Sequence, residues 1–93
     1  VVLVAGNSAT FISGMQSTVV SQQAVVNLWS QQNQTAQTSL YDASGKLLAQ
    51  QQQQLLRGDN QLKVAAQQLP QGVYFLQVQT ADGVRQTLRW LKQ

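Results

Sequence analysis

The side chains able to do chemistry in this sequence are few and scattered. Its acids are Asp42, Asp59 and Asp82, and its cations are Lys46, Lys63, Lys92, Arg57, Arg85 and Arg89. His, Cys and Glu are absent. Without a thiol there is no disulfide framework, no thiolate nucleophile and no Cys-based zinc site. Without imidazole the commonest general base near neutral pH is missing, and so is the Ser-His-Asp arrangement. Paired-carboxylate hydrolysis needs two acids facing one cleft, and three isolated aspartates are a thin supply. These residue types argue against an enzyme and imply neither a cofactor nor a metal site.

The remaining composition narrows the binding classes. The chain has 93 residues, a net charge of +3, 10% charged residues and 43% hydrophobic ones. That is room for one domain with one modest core. Roughly a fifth of the residues are glutamine, which supplies polarity without charge. The positive balance comes from missing acids, and six dispersed cations are no dense patch for nucleic acid. No apolar run reaches the length of roughly 18–20 residues that spans a bilayer. The opening Val1-Val2-Leu3-Val4-Ala5 has no initiator Met and no charged leader, so it is read as internal to a longer protein rather than as a signal peptide. With no Cys, redox usage assigns no compartment.

The elements that must position these side chains are strands. In Gly72 to Thr80, Tyr74, Leu76 and Val78 fall on one face and Val73, Phe75, Gln77 and Gln79 on the other. Ala24 to Ser30 places Val26 and Leu28 together, and Thr35 to Tyr41 places Ala36, Thr38 and Leu40 together. Turn formers punctuate these runs: Asp42-Ala43-Ser44-Gly45, Arg57-Gly58-Asp59-Asn60, Leu69-Pro70-Gln71-Gly72 and Ala81-Asp82-Gly83. All three aspartates lie in or beside them, as turn residues rather than ligands. The expected strands are 1–5, 9–12, 17–21, 24–30, 35–41, 46–54, 60–66, 72–80 and 84–92. Short connections between them predict an immunoglobulin-like antiparallel β-sandwich of about seven strands with an extra extended N-terminal segment. Residues 1–16 read as the tail of a preceding domain, a linker or a hairpin, and 17–93 as the domain.

Several motifs have competing readings. Gln50 to Gln54 is either a zipper-forming segment or a neutral edge strand, and the edge strand, with a bulge nearby, is expected. Asn33-Gln34-Thr35 fits a glycosylation sequon but reads as a chance match in so amide-rich a chain. Trp29, Trp90 and Phe75 are either a sugar-stacking platform or core and interface packing, which is the default for strand aromatics. Leu69-Pro70-Gln71-Gly72-Val73-Tyr74 is similar to the tyrosine corner of Greek-key sandwiches, a structural device with no ligand.

Taken in order, these landmarks resemble a known family. Ser17 to Gln93 looks like the type A C-terminal sorting domain of the type IX secretion system, carried by secreted proteins of Bacteroidetes. The opening strand Ala24 to Ser30 is followed by Ser39-Leu40-Tyr41-Asp42-Ala43-Ser44-Gly45-Lys46-Leu47-Leu48, similar to the family's turn. Gly58-Asp59-Asn60-Gln61-Leu62 and Leu69-Pro70-Gln71-Gly72-Val73-Tyr74-Phe75-Leu76 resemble its next two motifs, and Arg89-Trp90-Leu91-Lys92-Gln93 its basic end. The Pro-Asn-Pro element that often opens such domains is replaced by Gln16-Ser17-Thr18-Val19-Val20.

The resemblance implies a role. Cargo carries such domains through the periplasm and across the outer membrane, where shuttle and translocon proteins recognise them. A surface sortase commonly removes the domain and joins the cargo to lipopolysaccharide. The family's recognition information lies mostly near its C-terminal end, which maps here to Gly72, Tyr74, Arg89 and Lys92. Asp42, Gly45, Gly58, Pro70 and Gly83 are then structural turn residues. Half of the cations lie in the last nine residues, suited to an acidic receptor surface. The alternative is a passive adhesion or carbohydrate-binding module using Trp29 or Trp90.

Overall fold

The computed structural model describes residues 10–15 and 17–93. Eight strands form: β1 (Phe11–Met15), β2 (Val19–Val20), β3 (Gln23–Ser30), β4 (Gln34–Asp42), β5 (Leu47–Leu55), β6 (Gly58–Ala65), β7 (Gly72–Thr80) and β8 (Arg85–Lys92). They build one sheet in the order β1-β3-β6 and another in the order β2-β8-β7-β4-β5. The second order corresponds to the G-F-C-C′ face of immunoglobulin-type sandwiches, with the first supplying A, B and E. The expected sandwich is therefore observed.

The alternation read from the sequence is what closes it. β3 shows strict inward burial of Ala24, Val26, Leu28 and Ser30, and β7 does the same with Tyr74, Leu76, Val78 and Thr80. Leu62 and Val64 of β6, Ala36 and Leu40 of β4, and Trp90 of β8 complete one continuous core. Removing this apolar surface from water is worth roughly 1.5–3 kcal/mol for each large side chain.

The strand count differs from the expected seven for a local reason. The first strand divides between the layers: β1 runs antiparallel to β3, while β2 runs parallel to β8. Ser17 marks the crossing, its hydroxyl bonding to the carbonyl of Val19 at 2.8 Å and accepting the Val19 N–H at 3.2 Å. The expected strand 1–5 lies outside the described residues.

The glutamine run occupies β5, the outer strand of the larger sheet, with a bulge where Leu40 opposes Ala49 and Tyr41 opposes Leu47. Alternation forces some of these amides inward. Gln51 and Gln53 answer that constraint by donating to the carbonyl of Lys63 in β6, at 3.3 and 3.5 Å. Side-chain amides thus lace the open side between the two sheets.

Turn chemistry fixes the connections. Asp42 Oδ1 accepts the N–H groups of Ser44 and Lys46, both at 2.9 Å, and Gly45 takes φ +89°. Asn60 closes the β5–β6 connection reciprocally, accepting from Leu56 N at 3.0 Å and donating to Leu56 O at 2.7 Å. Asn33 of the sequon match accepts the Arg57 N–H at 2.8 Å, joining two neighbouring turns.

β1 is integral to the smaller sheet, with Ile12 buried and Phe11 stacked on Trp29 at 6.1 Å. A chain beginning at Ser17 is expected to lose about 2 kcal/mol, roughly 10 °C in thermal midpoint. Melting curves of the two lengths read this directly, and equal midpoints would contradict it.

Candidate functional site

Gly72 and Tyr74 lie at least 15 residues before Arg89 and Lys92 in the sequence, yet the β7–β8 pairing gathers them at one end of the larger sheet. Gly72 opposes Lys92, Tyr74 opposes Trp90 and Phe75 opposes Arg89. The four differ in what they offer to a partner.

Tyr74 faces inward. Its hydroxyl donates to the Pro70 carbonyl at 2.7 Å, which is the tyrosine corner expected from Leu69 to Tyr74. Its ring stacks on Trp90, centroids 5.1 Å apart, and the residue is 5% exposed. Trp90 is 1% exposed and its Nε1–H has no protein acceptor among the described residues. That burial removes Trp90 from any sugar-stacking surface. Trp29 lies in the other sheet, against Phe11.

Gly72 has φ +150°, a region that L side chains rarely adopt, and an added Cβ would meet nothing within 4 Å. Its requirement is conformational: it turns the chain from Pro70 into β7. Lys92 also lies inward. Its stem is buried, and its ammonium donates to the Gln93 carbonyl at 3.0 Å. Arg89 alone of the four is an exposed side chain on the outward face.

The last strand is already partly covered. Leu91 N donates to Thr18 O at 2.8 Å and Gln93 N to Val20 O at 2.9 Å, so β2 occupies the outer edge of β8 at its C-terminal end. A partner adding a strand there would have to displace β2.

The opposite end of the sandwich holds a polar cluster that the sequence reading did not assemble. Asp82 Oδ2 accepts from Thr10 Oγ1 at 2.5 Å, Gln31 Nε2 at 2.9 Å and Gln34 Nε2 at 3.1 Å, and Thr80 donates to its Oδ1. Gln34 Oε1 in turn accepts the Asp82 N–H at 2.9 Å. Partial burial pushes the Asp82 carboxyl up, but hydrogen bonds from Thr10, Thr80, Gln31 and Gln34 outweigh it and hold the group far below the usual carboxylate range. Asp42 is lowered too, chiefly by the Ser44 hydroxyl and the Lys46 N–H. The cluster is donor-rich and has one acid, so it fixes a turn rather than moving a proton. Among the described residues no three acids, His or Cys stand close enough to hold a metal ion.

A family model described as the secretion system C-terminal sorting domain matches residues 16–92. The chain belongs to this family. The sorting domain is the signal that the type IX secretion system recognises, rather than a catalytic domain. It marks secreted or cell-surface cargo. No curated protein matches the chain. The matched span covers the tyrosine corner, the Asx turn and the basic last strand of this sorting domain.

Two expectations follow from the sorting domain's geometry. Trp90→Phe should cost much less than Trp90→Ala, which should lose about 3–5 kcal/mol, because the ring's packing matters and its N–H has no protein partner. Denaturant titrations compare them, and equal losses would contradict it. The second expectation concerns acid. Asp82 has a folded pKa below its unfolded one, so its stabilisation is present above about pH 4 and is lost as pH falls through the folded value. Asp82→Asn should be less stable at pH 7 and should flatten the acid limb of a stability-against-pH curve. Asp42 leaves a residual slope of the same sign. An unchanged acid limb in the variant would refute the assignment.

Proposed function

We propose that this domain acts as an inert folded address, read from its β7–β8 end, which directs an attached cargo through the periplasm and across the outer membrane. The partners are outer-membrane shuttle and translocon proteins, and afterwards a surface sortase that removes the domain and attaches the cargo at the cell surface. The domain performs no catalysis of its own. The observation that carries this reading is the family match over 16–92. A scaffold with a closed core and turn-bound acids also supports it.

The four residues assigned to recognition divide into two roles under this proposal. Tyr74, Gly72 and the stem of Lys92 hold the shape that is read, and Arg89 is the one presented to the partner. The bond of Thr10 to Asp82 and the pairing of β1 along β3 support a folded unit that takes in Thr10 as well as 17–93.

The test is a fusion of the full 93-residue chain behind an export signal and a fluorescent reporter, expressed in a host with the secretion system. The reporter is expected outside the outer membrane, with a fraction shifted to higher mass by lipopolysaccharide. Retention in the periplasm, while an authentic sorting domain carries the same reporter out, would overturn the reading. Release outside without the mass shift would overturn the sortase step alone.

A further inference from the structure

The register of the larger sheet sorts its outward side chains into two halves. Toward one end lie Gln77 and Gln79 of β7, Gln37 and Ser39 of β4, and Gln50 and Gln52 of β5. Thr87 and Arg85 of β8 stand opposite Gln77 and Gln79, so this half is polar and carries the Arg85 charge. At the other end the outward row reads Leu47, Tyr41, Phe75 and Arg89 across β5, β4, β7 and β8. The next row reads Val73, Leu91 and Val19 across β7, β8 and β2.

No core packing accounts for this second half. Val19, Leu47 and Leu91 are 45%, 45% and 41% exposed. Leu48, inserted at the bulge beside Leu47, is 39% exposed. Four of the six exposed large hydrophobics among the described residues therefore collect in one region. Isolated apolar side chains on a surface need no explanation, but a contiguous patch marks an interaction site. A shallow depression of about 330 Å³, lined by Thr18, Val19, Val73, Arg89, Trp90 and Leu91, runs through it.

The charge pattern says what covers the patch. Arg85 and Arg89 share the outward face of β8. None of the three aspartates joins them. Asp42 is tied to its own turn, Asp59 lies in β6 of the other sheet and Asp82 is held in the polar cluster at the opposite end. The face is thus an apolar patch with the Arg89 guanidinium at the β8 end of its first row and no aspartate beside it. It complements an apolar surface that carries a carboxylate, where a desolvated Arg–carboxylate contact fixes orientation.

We propose that the outward face built by Val19, Tyr41, Leu47, Val73, Phe75 and Leu91, with Arg89, is the surface by which a secretion-machinery protein with an acidic-rimmed apolar patch holds this domain. The inference rests on the sorting role proposed above. It replaces recognition of a free terminal strand by recognition of a sheet face, which leaves β2 in place on β8.

The test uses the same reporter fusion with three variants. Val19→Thr/Leu47→Gln/Leu91→Gln extends the polar half over the patch through side chains already exposed. Arg89→Glu reverses the charge, and Arg89→Lys keeps it. A control, Gln52→Lys/Gln79→Lys, alters the polar half. The purified triple and Arg89→Glu variants are expected to melt within a few degrees of the parent yet to export the reporter at least about tenfold less, the loss of roughly 1.4 kcal/mol of binding. Arg89→Lys, which keeps the charge but not the planar fork, is expected to fall between the parent and Arg89→Glu, and the control to export normally.

Folded triple and Arg89→Glu variants exported as well as the parent would overturn the face while leaving the sorting role standing. Failure of the parent fusion itself would overturn both. Sedimentation of the parent separates the other occupant: a dimer that the triple variant abolishes would make the face a contact between copies and overturn a machinery partner. A variant that does not melt cooperatively is replaced by Leu91→Gln alone, judged by the same two readouts.

Discussion

The bond from the Tyr74 hydroxyl to the Pro70 carbonyl, with the Tyr74 ring against Trp90, fixes where β7 begins. The rest of the sandwich depends on that position. β7 is hydrogen-bonded to β4 on one side and β8 on the other, so its start sets the register of three strands. Side chains alternate along a strand with a period of two, and a slip of one residue would exchange the inner and outer faces. Leu76 and Val78 would then meet water, while Phe75 and Gln77 would enter the core. The corner therefore decides both what is buried and what is shown.

A second anchor stands at the far end. Asp82 collects donors from Thr10, Gln31, Gln34 and Thr80, which belong to the approach to β1, the β3–β4 turn, the start of β4 and the end of β7. Hydrogen bonds to an ionised acceptor are among the stronger ones, at about 1.5–3 kcal/mol each before the cost of ordering the donors. One end of the molecule is thus pinned by an aromatic pair and a neutral bond, the other by a charge. Acid weakens the second anchor, because protonation removes the charge that its donors gather around.

How much of this was legible in the sequence follows the range of the interaction. Strand character came from alternation within nine residues or fewer, and the turns came from Asp42, Gly45, Asn60 and Pro70 acting on close neighbours. The tyrosine corner spans only four residues and was equally readable. The Asp82 cluster was not: Thr10 lies 72 residues from Asp82 and Gln34 lies 48 away, and no local pattern marks either as its partner. The split of the first strand between layers also left little trace, because β2 is two residues long. Inward placement of Lys92 runs against the preference of its charge, and becomes intelligible only once β2 covers that end of β8.

The same register separates two demands on one short sequence. Stability draws on the inward residues of β7 and β8, Tyr74, Leu76, Val78 and Trp90, all members of the core. Presentation, as proposed above, draws on the alternate residues, Val73, Phe75, Arg89 and Leu91, which the core does not use. Family motifs written as continuous strings interleave the two sets, so a motif residue's place in the string says nothing of its role. Tyr74 and Phe75 are adjacent in sequence and face opposite ways. A substitution at the first acts through the fold and at the second through the surface. Loss of sorting alone therefore cannot distinguish them, and measuring stability beside sorting can.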